Sequence, residues 1–599
     1  MTPSKPGLLP DRTELLDSPY ANQDLVPTTL EERRWSRWNI AALWVGMSVC
    51  VPTYMLASGL IASGMSWWQA LVTIAAGNLI VLVPMILNGH AGTKHGVPFP
   101  VLLRAPFGIL GANVPALLRG LVACGWFGIQ TWIGGHALYA LARVIWPSIA
   151  GAPGIGWLGI NGWELTAFLA FWTLNVAIAW TGTESIKWLE AWGAPILLAI
   201  GFALLTWAMT TPGGLGRALS FSEQFSRPSL AVTDGQARLR ALEEDGVSRA
   251  TEARIGVGAT QAEARASVEA AAWAPFSGDP IALPPAGAAT PGPLFVAGEV
   301  RNAAGIVSPT LVTRPGSASR HGFLLLFLPG LTAMVGFWAT LSLNIPDFTR
   351  YARDQSDQVW GQIIGLPATM TLFAFIGIAA TCAGALRFAD VLVVEAAPWD
   401  PVDLLARFDS PTIVIVSMAA LAIATLTTNI AANVVAPAIG FSNIAPRLIS
   451  FRTGALMTGL VGILIMPWKL IASTQGYIFT WLIGYSALLG PVAGIMIADY
   501  WIVRRTALHT PSLYQRHGSY WYRRGWRWAT IGILVAAVLP NVPGFLAAAG
   551  FVAPGSVPAV FHTLYTYAWF VGFAIALLAY TLLGARRRDT ITAAELHAT

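Results

Sequence analysis

The chain has 599 residues, of which 55% are hydrophobic and only 11% charged, with a formal net charge of +6. A water-soluble chain carries about 25% charged residues, so this one cannot clothe a water-facing surface of its length, and most of its surroundings must be lipid. The basic residues gather in loops between apolar runs rather than in a stripe interleaved with aromatics, which argues against a nucleic-acid groove. The cysteines Cys50, Cys124 and Cys382 lie in apolar runs without metal-ligand or disulfide spacing.

A bilayer-crossing helix needs about 20 apolar residues. Runs of that kind begin near Trp38, Trp67, Pro115, Trp163, Trp192, Gly322, Trp360, Pro411, Gly454, Gly476, Trp528 and Ala559, predicting about twelve transmembrane helices, numbered here span one to span twelve in chain order. The N-terminus lacks the short basic, apolar and small-residue succession of a cleaved signal, so span one is expected to remain in the membrane. The 26 tryptophans suit a chain with many helix ends at headgroup level.

Span one (WNIAALWVGMSVCVPTYM) carries Gly46 and Pro52 inside its apolar run. Glycine loosens a helix and proline removes a backbone donor. In span three, Trp126 and Gln130 stand four apart and share a helix face. An indole offers a flat stacking surface and a glutamine amide both a donor and an acceptor, although packing and a bond to a neighbouring helix serve equally well. His136, a lone histidine on the same helix, reads as a packing or hydrogen-bonding residue.

From about Ser226 to Arg320 the chain turns polar and rich in Ala, Gly and Pro. This stretch reads as a disordered insertion between spans five and six, with a short helix or two from Gln236 to Ala272 and a linker beyond. Span six (LPGLTAMVGFWATLSLNIPDF) is again interrupted, by Pro329, Gly330, Gly336 and Pro346. Breaks in corresponding spans of two halves point to a transporter with inverted repeats, whose freed carbonyls can coordinate a cation; the alternative is a plain proline kink. Span eight gathers Thr425, Thr427, Thr428, Asn429 and Asn433, a run too polar to face lipid.

Lys94, Arg104, Lys187, Arg350, Arg353, Arg447, Arg452, the set from Arg504 to Arg527, and Arg586, Arg587 and Arg588 all fall on one side of this topology. By the positive-inside rule that side, with both termini, is cytoplasmic. Nothing resembles a zinc cluster, a nucleophile elbow or a P-loop, which argues against an enzyme and an ATP-driven pump.

At ALWVGMSVCVPTYM, GWFGIQTW, GFWATLSLNIPDFTRYA, GQIIGLP, TLTTNIAANVVAPA, MPWKL and IADYWIVRR, in order from Trp38 to about Arg505, the sequence resembles the nucleobase–cation symporter family 1, which includes hydantoin, allantoin, uracil and cytosine transporters. The resemblance implies an all-α membrane protein with a leucine-transporter-like core of two inverted five-helix repeats plus two C-terminal helices. The expected organisation is a cytoplasmic tail (1–37), a first repeat (38–225), the extracytoplasmic insertion (226–320), a second repeat (321–505), a basic cytoplasmic loop with spans eleven and twelve (506–584) and a second cytoplasmic tail (585–599). It further implies that Trp126 and Trp338 sandwich a planar ring, that Gln130 and Asn433 bond its amide edges, and that carbonyls of Gly46, Val49 and Ala424 with the hydroxyls of Thr427 and Thr428 bind Na⁺. Cys50 stands where the hydantoin transporter often has a polar amide, and Phe337 where it has glycine, so Phe337 would narrow the pocket if it pointed inward.

The function so implied is import of a nucleobase, allantoin or hydantoin at the plasma membrane by cation symport with alternating access, with no organic cofactor. A thiamine or pyridoxine carrier and a non-transporting sensor are the alternatives. Coupling to H⁺ instead of Na⁺ would turn attention to His136 or Asp347.

Overall fold

The computed structural model describes residues 12–62, 65–181, 183–225, 230–233, 236–239, 250–277, 279–283, 295–303, 305, 307, 310–313, 323–387, 401–472 and 475–585. The ends of both tails, with Arg586, Arg587 and Arg588, lie outside the described residues. Each apolar run folds as helix. Span two is Trp67–His95, span three Asn113–Ile145, span four Gly162–Thr181, span five Thr183–Met209, span seven Gln355–Arg387, span eight Pro411–Asn433 and span nine Phe451–Leu464. Span ten runs from Gln475 to Val503 with a π-helical turn at each end. Span eleven begins at Trp528, and span twelve joins Ala559–Thr566 to Ala568–Ala585.

Among the described residues, seven helices are long and apolar enough to cross a bilayer, and up to ten if each bent pair is one span. Two shorter apolar helices, Leu326–Phe337 and Phe451–Leu464, accompany them, an inventory consistent with the expected spans. Span one is broken into Arg37–Ser48 and Val51–Ala62, bent by 58°. Span six is interrupted at Trp338, between Phe323–Phe337 and Ala339–Asn344.

The spans pack closely: span three against span eight, span seven against spans one and two, and span ten against span twelve. Between apolar helices in lipid, contact rests on shape and small residues rather than on water exclusion. A Cβ added at Gly92 in span two would lie 2.7 Å from the Pro346 Cα and 2.6 Å from the Thr349 Oγ1. Only a residue without a side chain lets the short helix Pro346–Thr349 lie so close.

The basic loops are knitted together. Arg104, in the loop after span two, donates to the carbonyls of Leu513 (3.0 Å) and Tyr20 (2.8 Å) and to Asn443 Oδ1 (2.6 Å). One buried guanidinium thus ties the N-terminal segment, the extension of span eight and the loop before span eleven. Burial lowers its pKa to about 10, which leaves it charged at neutral pH. Leu15, Leu25 and Val26 pack with Leu513 and Tyr514, so the described part of the N-terminal tail is folded onto this end.

The reading of 226–320 as disordered is corrected by its described residues, which form two antiparallel sheets and one helix. The larger sheet pairs Ala250–Gly258 with Phe295–Asn302, flanked by Ala274–Pro275 and Leu311–Thr313. The smaller joins Leu230–Thr233, Gln236–Leu239 and Ile281–Ala282. The helix Gln261–Ala270 starts at Thr260, whose hydroxyl accepts from the Glu263 N–H while the Glu263 carboxylate accepts from the Thr260 N–H. The balanced charges that suggested disorder are paired across strands: Arg254 with Glu299 at 2.6 Å and Arg301 with Glu252, with the Trp273 ring 4.6 and 4.5 Å from the two guanidinium carbons. Residues 284–294 of the expected linker lie outside the described residues.

Gly92→Leu is expected to destabilise the protein by about 1–3 kcal/mol through overpacking, read as a lower unfolding midpoint in detergent. An unchanged midpoint would show that span two and Pro346–Thr349 are not held this close.

Candidate functional site

The break in span one redirects several backbone bonds. In an uninterrupted helix the Cys50 N–H would bond the Gly46 carbonyl and the Thr53 N–H the Val49 carbonyl. Instead Cys50 donates to Ser48 (3.1 Å) and Thr53 to Cys50 (3.1 Å), Val49 leaves helical geometry at ψ 81°, and Pro52 has no N–H. The carbonyls of Gly46 and Val49 thereby lose their helical donors, and a Cβ built on Gly46 would meet nothing within 4 Å. On span eight, which touches the first half of span one, the hydroxyls of Thr427 (2.6 Å) and Thr428 (3.1 Å) both donate to the Ala424 carbonyl. With their protons committed, these two buried hydroxyls can only accept, which is what a cation requires. All the candidate ligands are neutral oxygens with no carboxylate among them, whereas Ca²⁺ and Mg²⁺ sites draw on carboxylates, so the set suits a monovalent cation. Among the described residues, no group of three His, Cys, Asp or Glu side chains is placed to hold a metal.

Beside the span-six break lies an aromatic cluster. Trp126 is 5% exposed and Trp338 3%. Phe337 lies against both, its ring centroid 5.2 Å from that of Trp126 and 5.0 Å from that of Trp338, edge to face in each case. The side chain that the sequence reading flagged as a possible obstruction therefore does point inward and packs against the two indoles. Trp338 is edge-on to Trp44 of span one at 5.2 Å and donates its indole N–H to Asn78 Oδ1 of span two at 3.0 Å. The Tyr485 hydroxyl of span ten donates to the Gly336 carbonyl (2.8 Å) and accepts from the Trp126 indole (3.3 Å). The Tyr477 hydroxyl donates to the Pro52 carbonyl at 3.0 Å. Span ten thus contacts both broken helices.

Spans three and eight run antiparallel. Asn429 sits against Phe127 and Thr131, while Phe441, beyond the end of span eight, reaches Gly120. Asn433 therefore falls at the level of Trp126. Gln130 and Asn433 are buried, at 4% and 6% exposure. Gln130 Oε1 has no hydrogen-bond partner among the described residues, and Asn433 Nδ2 donates to Asn429 Oδ1 at 3.0 Å. Cys50 is buried at the span-one break, its Sγ 3.3 Å from Thr53 Oγ1.

His136 Nε2 lies 3.2 Å from Asp403 Oδ1, on a short helix before span eight, so it joins two elements rather than standing alone. Asp347 accepts from the Phe99 N–H (2.8 Å) and from Asn344 Nδ2 (3.3 Å), a structural engagement at the end carrying the basic loops. Asn78, Tyr477 and Tyr485 were not singled out in the sequence, because an isolated polar or aromatic residue in an apolar run reads as packing.

Apolar helices in this number, with two of them broken around a buried cluster of aromatic and amide side chains, have the build of a multi-pass membrane permease. The profile of the family described as permease for cytosine/purines, uracil, thiamine, allantoin matches residues 26–236 and 292–572, and the chain belongs to that family. It is 36% identical to the purine-uracil permease NCS1 of Arabidopsis thaliana over 95% of this chain and 78% of that one. It is 35% identical to the allantoin permease of Bacillus subtilis (strain 168) over 94% of this chain and 93% of that one. Among solved structures, Mhp1, a nucleobase-cation-symport-1 family transporter in a closed conformation with bromovinylhydantoin bound, aligns with a TM-score of 0.62 at 22% identity, covering 97% of this chain and 99% of that one. A Na⁺-coupled sialic acid symporter aligns at 0.52 and 12% identity, covering 92% and 90%. At these identities the likeness is one of fold, the leucine-transporter-like arrangement. The stretch between the two matched segments, 237–291, falls in the insertion.

Tyr485→Phe would leave the Trp126 indole and the Gly336 carbonyl without their shared partner, at about 1–3 kcal/mol for a buried group left unpaired. The expected result is a lower unfolding midpoint in detergent; a midpoint equal to wild type would show that the hydroxyl holds neither group.

Proposed function

We propose that this permease imports a small planar heterocycle of the uracil, allantoin or hydantoin kind together with Na⁺, by alternating access. The reading is carried by one observation: on adjoining helices, released backbone carbonyls and acceptor-only threonine hydroxyls lie in the same part of the fold as buried indoles and amides. Gly46, Val49, Ala424, Thr427 and Thr428 are assigned to the cation. Trp126 and Trp338 are assigned to the ring, with Phe337 trimming the space between them and Cys50 lining it. Gln130 and Asn433 are assigned to the amide edges. The relatives named as purine-uracil and allantoin permeases support the substrate class.

In this mechanism Na⁺ enters from outside and draws the broken span one against span eight, because its neutral ligands are divided between the two helices. The aligned helices complete the slot, the heterocycle binds, and rocking of one helix bundle against the other opens both sites to the cytoplasm. Coupling requires each ligand to favour the other's binding, typically by about 1–3 kcal/mol. His136 and Asp347, the candidates for H⁺ coupling, are engaged with Asp403 and with Phe99 and Asn344, away from the span-one and span-eight oxygens, which favours Na⁺. The concentration of basic residues in one set of loops supports a cytoplasmic position for those loops and both termini, with 38–225 and 321–505 assigned as the two repeats.

In proteoliposomes, Asn433→Ala and Gln130→Ala are expected to weaken uptake tenfold or more, equivalent to about 1.4 kcal/mol or more. Thr428→Val is expected to raise the half-saturating Na⁺ concentration by a similar factor. Uptake driven by a pH gradient and indifferent to Na⁺ would overturn the choice of ion, and binding without counterflow of labelled substrate would make the protein a sensor rather than a carrier.

A further inference from the structure

We propose that Asn175, Thr131 and Asn429 fix the orientation of the Asn433 amide, so that the substrate site, which also presents Gln130 Oε1, selects heterocycles offering one N–H to Asn433 Oδ1 and another to Gln130 Oε1; this rests on the substrate site proposed above. A side-chain amide donates from its nitrogen and accepts at its oxygen, and a half-turn exchanges the two. Its orientation is decided by its neighbours. Here the deciding neighbours are backbone carbonyls, which can only accept.

Asn175 of span four donates from Nδ2 to the Phe171 carbonyl at 2.9 Å. That bond turns its Oδ1 toward span eight, where it accepts from Asn429 Nδ2 at 3.1 Å. The Thr131 hydroxyl donates to the Phe127 carbonyl at 2.7 Å, so only its lone pairs remain for Asn429 Nδ2, at 3.1 Å. The Phe127 carbonyl itself lies 3.2 Å from the same nitrogen. With three acceptors around it, that position holds a nitrogen; an oxygen there would face three others. The Asn429 oxygen must therefore point the other way, where it accepts from Asn433 Nδ2 at 3.0 Å.

The orientation passes in this manner from two backbone carbonyls, through residues with no measurable exposure (Asn175, Thr131 and Asn429), to Asn433. Its Nδ2 is turned toward Asn429 and its Oδ1 away, and among the described residues nothing donates to that Oδ1. Gln130 Oε1, one residue before Thr131, is buried without a donor among the described residues. A buried acceptor without a partner is costly, so Gln130 Oε1 favours a ligand that brings an N–H, and Asn433 Oδ1, on a residue 6% exposed, offers a second acceptor to such a ligand. The two ring N–H groups of uracil or hydantoin can serve them. An N-methyl group at either position leaves an oxygen unpaired and adds bulk.

The test is binding of uracil, hydantoin and allantoin, and of the N-methylated forms of uracil and hydantoin, to the purified full-length protein in Na⁺. Wild type is expected to bind at least one of uracil and hydantoin, and to lose at least tenfold in affinity for each N-methylation. Asn175→Leu releases the relay and should cut that discrimination ratio at least fivefold. Asn175→Ser, whose hydroxyl can donate to the Phe171 carbonyl and still accept from Asn429, should restore it. Thr131→Val should reduce the ratio in the same direction and serves if Asn175→Leu does not fold. If Asn175→Leu and Thr131→Val weaken parent and methylated compounds equally, the residues are merely structural and the relay is overturned while the substrate site stands. If wild type binds none of the parent compounds, the substrate-site reading falls and the relay with it.

Discussion

Lipid supplies no hydrogen bonds, so a peptide group that leaves its helical partner within the membrane has to be answered by the protein or face an internal polar space. Spans one and six each break that continuity, and much of the surrounding structure is the answer. The Ser48 carbonyl is taken by the Thr53 hydroxyl at 2.8 Å, Pro52 by Tyr477, Gly336 by Tyr485, and the Ser342 carbonyl by Asn88 of span two at 2.7 Å. The carbonyls of Gly46 and Val49 are not answered in this way: their helical donors bond elsewhere, and among the described residues no side chain replaces them. Open carbonyls at this break are what the proposed cation site would use.

How much of this was legible in the sequence depends on how local each signal is. The spans follow from uninterrupted apolar length, and the breaks from Gly46 with Pro52 and Pro329 with Gly336, because lipid solvation and helix continuity are properties of consecutive residues. The polar run from Thr425 to Asn433 announced a ligand or a partner helix for the same reason. Asn78 and Tyr485 stayed hidden because their meaning lies in partners 260 and 359 residues away. The insertion failed for a related reason. Arg254 and Glu299, or Glu252 and Arg301, look like scattered solvated charges until antiparallel pairing sets them directly opposite one another.

Phe337 shows a different limit. Its presence beside Trp338 was plain in the sequence, but its direction depends on backbone geometry at the break, where Trp338 sits at φ −97° and ψ 5°. Facing inward, it fills space between indoles that a glycine would leave open. The relatives named for purine-uracil and for allantoin show that one family serves rings of different shape, and a residue that changes the slot's width without touching its hydrogen-bonding groups is a simple physical route to such differences.

The arrangement on span eight gives the proposed coupling a geometric basis. Ala424, Thr427 and Thr428 belong to the same helix as Asn429 and Asn433, so the residues assigned to the cation and the amide assigned to the ring are about one and a half to two and a half turns apart on one rigid element. A cation held by neutral oxygens contributes its binding energy only where the helices supplying them stand at the right separation, so it sets the position of span one relative to span eight. Trp44 of span one lies against Trp338, so any adjustment of span one is also felt at the aromatic wall. The ion need not touch the heterocycle to favour it. It is enough that span one carries two of the carbonyls assigned to the cation at one point and braces Trp338 at another, while span eight carries the remaining oxygens and, beyond Asn429, the amide assigned to the ring.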